Sequence, residues 1–160
     1  MGKGYLFHCD NCHYTFEANL GIGFLFLAVY KNTIKEIQKG KYGIKIKDFL
    51  LDYKDAAISC EQVLFQCENC NSLDSGLDLS MYLPDLKYEK KLTNIYDYHL
   101  DFELKSKYKL YSKYPHLCKK CGSTMTIYNE DELEELISQN KFQCPVCNKE
   151  LEVSLSLMWD

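Results

Sequence analysis

Four pairs of cysteines with identical spacing constrain this chain more than any other feature of its sequence. Each pair has the form Cys-x-x-Cys, and the four are Cys9/Cys12, Cys67/Cys70, Cys118/Cys121 and Cys144/Cys147. Two thiolates at this spacing lie on one tight turn and can reach a single ion, and two such turns complete a tetrahedron. The four pairs therefore predict two metal sites of four cysteines each.

A disulfide framework accounts for the cysteines less well. The chain has nine of them, so Cys60 is left over, and an odd number cannot close into pairs. Residues 1–7 also lack the apolar core and the small-residue cleavage site of a signal peptide. We therefore expect a cytoplasmic protein, whose reducing surroundings favour metal ligands over disulfides. We expect Cys60 to be a small buried residue.

Chain order predicts how the pairs combine into sites. Cys9, Cys12, Cys67 and Cys70 would form one site in a unit spanning 1–84, with a helical insertion at 31–57 between the two pairs. Cys118, Cys121, Cys144 and Cys147 would form the other site within 116–160, where the 22 residues between the pairs are close to a spacing typical of zinc sites. A segment rich in tyrosine and lysine, 85–115, would connect the two units as a strand.

Hydrophobic periodicity predicts strands next to the cysteine pairs. Apolar residues alternate or cluster as in strands over 5–7, 60–67, 77–83, 96–104, 124–128 and 151–157. A helix competes with the fourth of these strands, since Leu100, Leu104, Tyr108 and Tyr111 have helical spacing, and we prefer the strand only before Lys105. Helices are predicted from Thr33, where a capping box with Glu36 begins, over 46–57, and from Asn129, which can cap with Glu132. The predicted class is α+β, with two small antiparallel β units that each carry a helical insertion.

The C-terminal segment resembles the zinc-ribbon family, in which two rubredoxin-like knuckles clamp one ion. The residues that carry this resemblance are Cys118-Lys119-Lys120-Cys121-Gly122 and Cys144-Pro145-Val146-Cys147-Asn148. Glycine or asparagine after the second cysteine suits the positive φ of such a turn. The first half departs from this pattern, since His13 follows Cys12 and Asn71 follows Cys70. The whole chain looks like small zinc-ribbon proteins of low-GC bacteria, which implies a bacterial origin but no activity.

Ligand chemistry then predicts the cofactor. A zinc ion held by four thiolates has no open position for water, so such a site is structural, and we expect two zinc ions per chain. Iron suits the same four sulfurs, which leaves a rubredoxin-like electron carrier as an alternative. The Cys9–His13 stretch also matches a haem attachment motif, but that chemistry requires export and the other three pairs lack the histidine.

Composition bears on the choice of partner. The formal net charge is −4, all 19 basic residues are lysine, and no catalytic constellation is visible. We therefore expect a non-enzymatic protein whose partner is another protein. Nucleic-acid binding through the tyrosines and lysines of 85–121 is the alternative, although arginine, the commonest reader of guanine, is missing. The longest apolar run, 20–30, is too short to span a bilayer, so no membrane partner is expected.

Overall fold

The structure of the chain is a computed structural model that describes residues 2–23, 25–87, 104, 106–139 and 141–159. Within these residues the fold is α+β, as predicted, with three helices and three small antiparallel sheets. The helices are α1 (Phe26–Gln38), α2 (Ile44–Asp52) and α3 (Glu130–Ser138).

Nine strands form the three sheets. In chain order they are β1 (Gly2–His8), β2 (Thr15–Leu20), β3 (Ala57–Ile58), β4 (Gln62–Cys67), β5 (Leu73–Leu77), β6 (Met81–Pro84), β7 (Tyr108–Ser112), β8 (Met125–Tyr128) and β9 (Glu152–Trp159). The sheet orders are β2-β1-β9, which we call the outer sheet, β5-β4-β8, which we call the inner sheet, and β3-β6-β7. In the first two, a hairpin supplies two strands and a distant part of the chain adds the third.

The chain divides into two compact units, each assembled from separate segments. The cysteine unit comprises Met1–Gly23, Gln62–Leu77 and Pro115–Asp160, and it contains the outer sheet, the inner sheet and α3. The helical unit comprises Phe24–Glu61 and Asp78–Tyr114, and it contains α1, α2 and the β3-β6-β7 sheet. Neither unit is continuous in sequence, whereas the sequence predicted consecutive units at 1–84 and 116–160.

The core of the cysteine unit forms where both sheets and α3 meet. Tyr5 and Phe7 of β1 are buried on either side of the more exposed Leu6, together with Leu64 of β4 and Leu133 of α3. Phe142 packs edge-on against Phe7, with ring centroids 5.5 Å apart. This packing fixes the outer sheet against the helix and holds the start of β9 close to the end of β1.

Helix α3 begins where the sequence predicts. The Asn129 side chain accepts a hydrogen bond from the Glu132 backbone N–H at 2.9 Å, and the Glu132 carboxylate accepts one from the Asn129 N–H at 3.0 Å. Both halves of the capping box are thus present. Lys3 of β1 lies 2.7 Å from Glu130 and 2.6 Å from Glu134, which joins the outer sheet to the helix.

The helical unit has a core of its own. Helix α1 buries Phe26, Tyr30, Ile34 and Ile37, which recur every three or four residues along one face. Helix α2 contributes Ile46, Phe49 and Leu50, as its periodicity predicts. These buried side chains of α1 and α2 form the apolar core of the helical unit.

Three predicted elements are corrected by the structure. The helix predicted over 46–57 ends at Asp52, because the backbone is extended at Tyr53, and Ala57 lies in β3. Helix α1 begins at Phe26 and not at Thr33, because the apolar pattern of the helix continues through Phe26 and Tyr30 and buries Thr33 on the same face. The single strand predicted over 77–83 is two strands in different sheets. Leu79, between them, has φ of 60°, a left-handed conformation that breaks a strand.

The strand predicted over 96–104 lies outside the described residues, apart from Leu104, which is helical and buried against Ala57 and Tyr108. Among the described residues, no helix combines the length and the apolar character that crossing a membrane requires.

Candidate metal centres

All four cysteine pairs adopt the same turn. In each, the backbone N–H of the first cysteine donates to the carbonyl five residues later, at distances between 2.7 and 2.9 Å. The backbone N–H four residues after the first cysteine donates back to that cysteine's carbonyl, at distances between 2.8 and 3.1 Å. Two sulfurs are thereby placed on one side of a closed backbone loop, the arrangement that a knuckle needs to clamp an ion.

The residue after the second cysteine has a positive φ in every turn. The angles are 59° at His13, 55° at Asn71, 74° at Gly122 and 57° at Asn148. This conformation favours glycine and tolerates asparagine and histidine better than most other residues. The first half of the sequence thus differs from the zinc-ribbon pattern in residue type only. His13 and Asn71 occupy the turn position that Gly122 and Asn148 occupy in the second half.

The first and last pairs meet in what we call the outer tetrad: Cys9, Cys12, Cys144 and Cys147. The Cys9 and Cys147 sulfurs are 3.5 Å apart, as are those of Cys12 and Cys144. Strand pairing produces this meeting, since β9 runs antiparallel to β1 and Glu152 lies opposite His8. The Cys144/Cys147 turn, which precedes β9, is thus carried to the Cys9/Cys12 turn, which follows β1.

The two middle pairs meet in the inner tetrad: Cys67, Cys70, Cys118 and Cys121. The Cys67 and Cys121 sulfurs are 3.4 Å apart, and those of Cys70 and Cys118 are 3.7 Å apart. Here β8 pairs antiparallel with β4, and Met125 lies opposite Cys67. The inner tetrad repeats the construction of the outer one and is nested inside it in sequence.

The pairing predicted from chain order is therefore wrong. The sequence predicted Cys9/Cys12 with Cys67/Cys70 and Cys118/Cys121 with Cys144/Cys147, whereas the structure joins the first pair to the fourth and the second to the third. The prediction favoured short connections. A long connection costs little, because each doubling of loop length adds only about 0.6 kcal/mol of closure entropy. Strand pairing outweighs that cost.

The geometry of both tetrads suits one tetrahedral ion each. All four sulfurs of a tetrad lie within 4.8 Å of one another. A metal–sulfur bond of about 2.3 Å implies sulfurs about 3.8 Å apart on the edges of a tetrahedron, and the shortest observed separations are 3.4 to 3.7 Å. Both tetrads could hold a metal ion without a change of fold.

Backbone amides point at the sulfurs and prepare them to carry negative charge. The N–H groups of Asn69 and Cys70 lie 3.4 and 3.5 Å from the Cys67 sulfur, and that of Val146 lies 3.4 Å from the Cys144 sulfur. These donors spread the charge of bound thiolates.

Hydrogen bonds lower the pKa of Cys70 and Cys121 in the inner tetrad and of Cys147 in the outer tetrad, whereas the pKa values of Cys12 and Cys67 are raised. Side-chain and backbone hydrogen bonds from Ser123 lower the pKa of Cys121 to about 6. A backbone hydrogen bond from Lys149 lowers the pKa of Cys147 to about 6, against the opposing effect of burial. Each tetrad thus contains a thiolate near neutral pH, and the thiolate is the form that binds metal.

The tetrads differ in how far they are exposed to solvent. In the outer tetrad two sulfur-bearing residues are buried and two are half-buried, whereas in the inner tetrad Cys121 is exposed. The inner sheet also has a smaller core, in which Cys67 and Cys118 contribute two of five buried residues. The face of the inner sheet that carries Cys67 therefore has little apolar packing to hold it without a metal, whereas the opposite face packs through Leu64 in the larger core.

The remaining cysteine, Cys60, belongs to neither tetrad. Cys60 is in the helical unit and is 3 % exposed, as the sequence predicts for a small buried residue. Burial raises the pKa of its thiol to about 12, although a hydrogen bond with Thr33 opposes the rise. A neutral buried thiol of this kind is neither a nucleophile nor a metal ligand.

The tyrosines that the sequence singled out for stacking on nucleic acid have other contacts. Tyr108 is buried, Tyr111 stacks on Phe49 with ring centroids 4.9 Å apart, and Tyr114 donates to the Tyr42 carbonyl at 3.0 Å. Tyr88, Tyr96, Tyr98 and His99 lie outside the described residues.

Comparison with known proteins does not assign the chain to a family. No protein-family model matches the chain, and neither a curated protein nor a solved structure matches it significantly. The two tetrads are accordingly interpreted from their own geometry.

Proposed function

We propose that this protein binds two zinc ions, one in each tetrad, and that both ions are structural. The observation that carries the proposal is the pair of four-sulfur clusters, each built from two knuckles with identical backbone hydrogen bonds. Four thiolates fill all four positions of a tetrahedral zinc ion and leave none for water or substrate. The binding free energy then contributes to folding.

The nested strand pairing explains what the ions would stabilise. Each tetrad closes one three-stranded sheet by fastening the turn of a hairpin to the turn that precedes the third strand. Without the ion, the third strand is held by its own ladder and by side-chain packing. Zinc in both tetrads makes each sheet a zinc ribbon. The two ribbons meet in the core around Phe7 and Leu64, and the inner ribbon has a second, smaller core around Val63 and Phe65.

We propose further that the zinc-stabilised unit acts by binding another protein and not by catalysis. Its knuckles present apolar side chains to solvent, since Val146 is 67 % exposed and Leu117 is 61 % exposed. The cysteine unit carries 5 of the 19 lysines and 12 of the 23 acidic residues, which gives it a formal charge of −7. An acidic surface with exposed apolar side chains favours a protein partner over nucleic acid.

Elemental analysis of the purified full-length chain, expressed with zinc and iron both supplied, tests the metal. We expect two zinc ions per chain and a colourless solution. Iron at either site, seen as strong visible absorption from iron–thiolate bonds, would replace this proposal with electron transfer.

Affinity capture with matched variants tests the protein partner. A protein recovered with the wild-type chain should be lost with Val146→Ser, which keeps the backbone N–H near Cys144, and retained with Lys141→Ser at another exposed position of the same unit. Recovery of the same protein with both variants would show that the knuckle is not the interaction surface.

A further inference from the structure

The helical unit collects both the positive charge and the exposed apolar surface of the chain. It holds 14 of the 19 lysines and 11 of the 23 acidic residues, a formal charge of +3. Nine of the twelve large apolar side chains that are exposed among the described residues also belong to it. Lysine and exposed aliphatic side chains on one surface are the two requirements for binding at a lipid–water interface.

Helix α1 brings the two features together. Its first residues are apolar and reach solvent, with Leu25 65 %, Leu27 40 % and Val29 36 % exposed. Leu25 and Val29 are four residues apart and therefore lie on the same side of the helix. Leu25 occupies the N-cap and makes no side-chain cap hydrogen bond, although serine or aspartate would satisfy a backbone N–H there.

Three exposed lysines continue the solvent side of the same helix. Lys31, Lys35 and Lys39 are spaced by four residues, so they form a row about 12 Å long. None of them forms an ion pair with a residue that the structure describes. Glu36, the one acidic residue of α1, is 2.8 Å from Lys41 and accepts a hydrogen bond from Tyr42 at 3.0 Å. The row therefore keeps its positive charge toward solvent.

Neither feature of α1 favours stability. Like charges four residues apart repel on a helix, and an uncapped apolar N-terminus forgoes a favourable hydrogen bond. Both features become favourable beside a surface that offers hydrocarbon and negative charge together. Nucleic acid offers negative charge but no hydrocarbon surface for Leu25 and Val29, whose side chains have no ring to stack on bases.

We propose that the helical unit binds the surface of an anionic lipid bilayer through α1. Leu25 and Val29 enter the boundary between headgroups and acyl chains, and the row of lysines lies against the acidic headgroups. This contact goes beyond the proposed zinc-dependent function and does not depend on it. The apolar run 20–30 is too short to span a bilayer, but an interfacial contact needs only a few inserted side chains.

Flotation of the full-length protein with lipid vesicles tests the proposal. The probes are vesicles of phosphatidylcholine alone and vesicles with 30 % phosphatidylglycerol, a composition of about the charge density found in anionic membranes. We expect binding to the anionic vesicles only, weakened by added salt. Absence of binding to the anionic vesicles in low salt would overturn the proposal.

Two variants separate the contributions of charge and hydrocarbon. Lys35→Glu should weaken vesicle binding at least about fivefold, while Lys141→Glu, the same change in the cysteine unit, should leave it unaltered. Leu25→Ser should weaken binding about tenfold, and an unchanged melting temperature should show that the variant keeps its fold. Unchanged binding in Lys35→Glu and Leu25→Ser would place the contact elsewhere and overturn the proposal.

A single-stranded oligonucleotide of thymidines distinguishes the other source of negative charge. We expect no binding to it at the salt concentration where vesicles bind. Binding that Lys35→Glu abolishes and Leu25→Ser leaves intact, without vesicle binding, would assign the row of lysines to nucleic acid and overturn the lipid proposal.

Discussion

The sulfur of Cys9 lies 3.5 Å from the sulfur of Cys147, although the two residues are 138 positions apart in sequence. The antiparallel pairing of β1 with β9 produces this proximity, so that the four cysteines of the inner tetrad lie between the two halves of the outer tetrad in sequence. One consequence is that the two sheets of the cysteine unit should respond separately to loss of a ligand.

Cys121→Ser should loosen the inner sheet and leave the outer sheet intact. The inner tetrad would lose a thiolate, and the small core around Val63 and Phe65 offers little to replace the ion. Native-state hydrogen exchange should show faster exchange in β4 and β8, with β1 unchanged. Cys12→Ser is the matched variant, and it should reverse the pattern. Equal loosening of both sheets by either variant would contradict two independent sites.

Gly122→Val should reduce stability by about 1–2 kcal/mol, whereas Gly122→Asn should cost less. The φ of Gly122 is 74°, and no atom lies within 4 Å of the place where a Cβ would be, so the cost comes from the backbone alone. Asparagine already occupies the equivalent position at Asn71 and Asn148. Thermal melts of the zinc-loaded proteins provide the measurement, and equal melting temperatures for the two variants would contradict the role of positive φ.

Asn129→Ala should reduce the free energy of unfolding by about 1 kcal/mol. The change removes the side-chain oxygen that accepts from the Glu132 N–H and leaves that donor without its partner. Urea denaturation measures the loss. Asn129→Ser, which can still cap, should recover most of it, and no difference between alanine and serine would show that the cap contributes nothing.

Cys60 should resist alkylation in the native protein. Its thiol is 3 % exposed and burial raises its pKa to about 12, so the reactive thiolate is scarce at pH 8. Mass spectrometry after iodoacetamide treatment should find Cys60 modified only when denaturant is present. Modification of Cys60 in the folded zinc-loaded protein, at a rate similar to that of a free thiol, would refute its assignment as a buried structural residue.

The local parts of this structure were predictable from sequence because their causes are local. The helix that starts at Asn129 follows from its cap, and the helical spacing of Ile46, Phe49 and Leu50 predicts α2. The four turns follow from their Cys-x-x-Cys spacing. The start of α1 was missed because Thr33 matched a capping motif although its side chain is needed in the core.

The assembly of the tetrads was not predictable, because its cause is not local. The pairing of β1 with β9 depends on a core formed by Phe7, Leu64, Leu133 and Phe142, residues from four separate parts of the chain. Spacing between cysteine pairs carries no information about such packing. All four turns are equivalent, since His13 and Asn71 share the positive φ of Gly122 and Asn148. The difference in residue type at this position conceals the equivalence in the sequence.

Zinc stoichiometry in two double variants tests the nested pairing most directly. Cys9→Ser with Cys147→Ser removes two ligands from the outer tetrad, so this protein should retain one zinc ion under a chelator that leaves both ions in the wild type. Cys9→Ser with Cys67→Ser removes one ligand from each tetrad, so this protein should retain none. One ion in the second variant and none in the first would contradict the structure and restore the pairing by chain order.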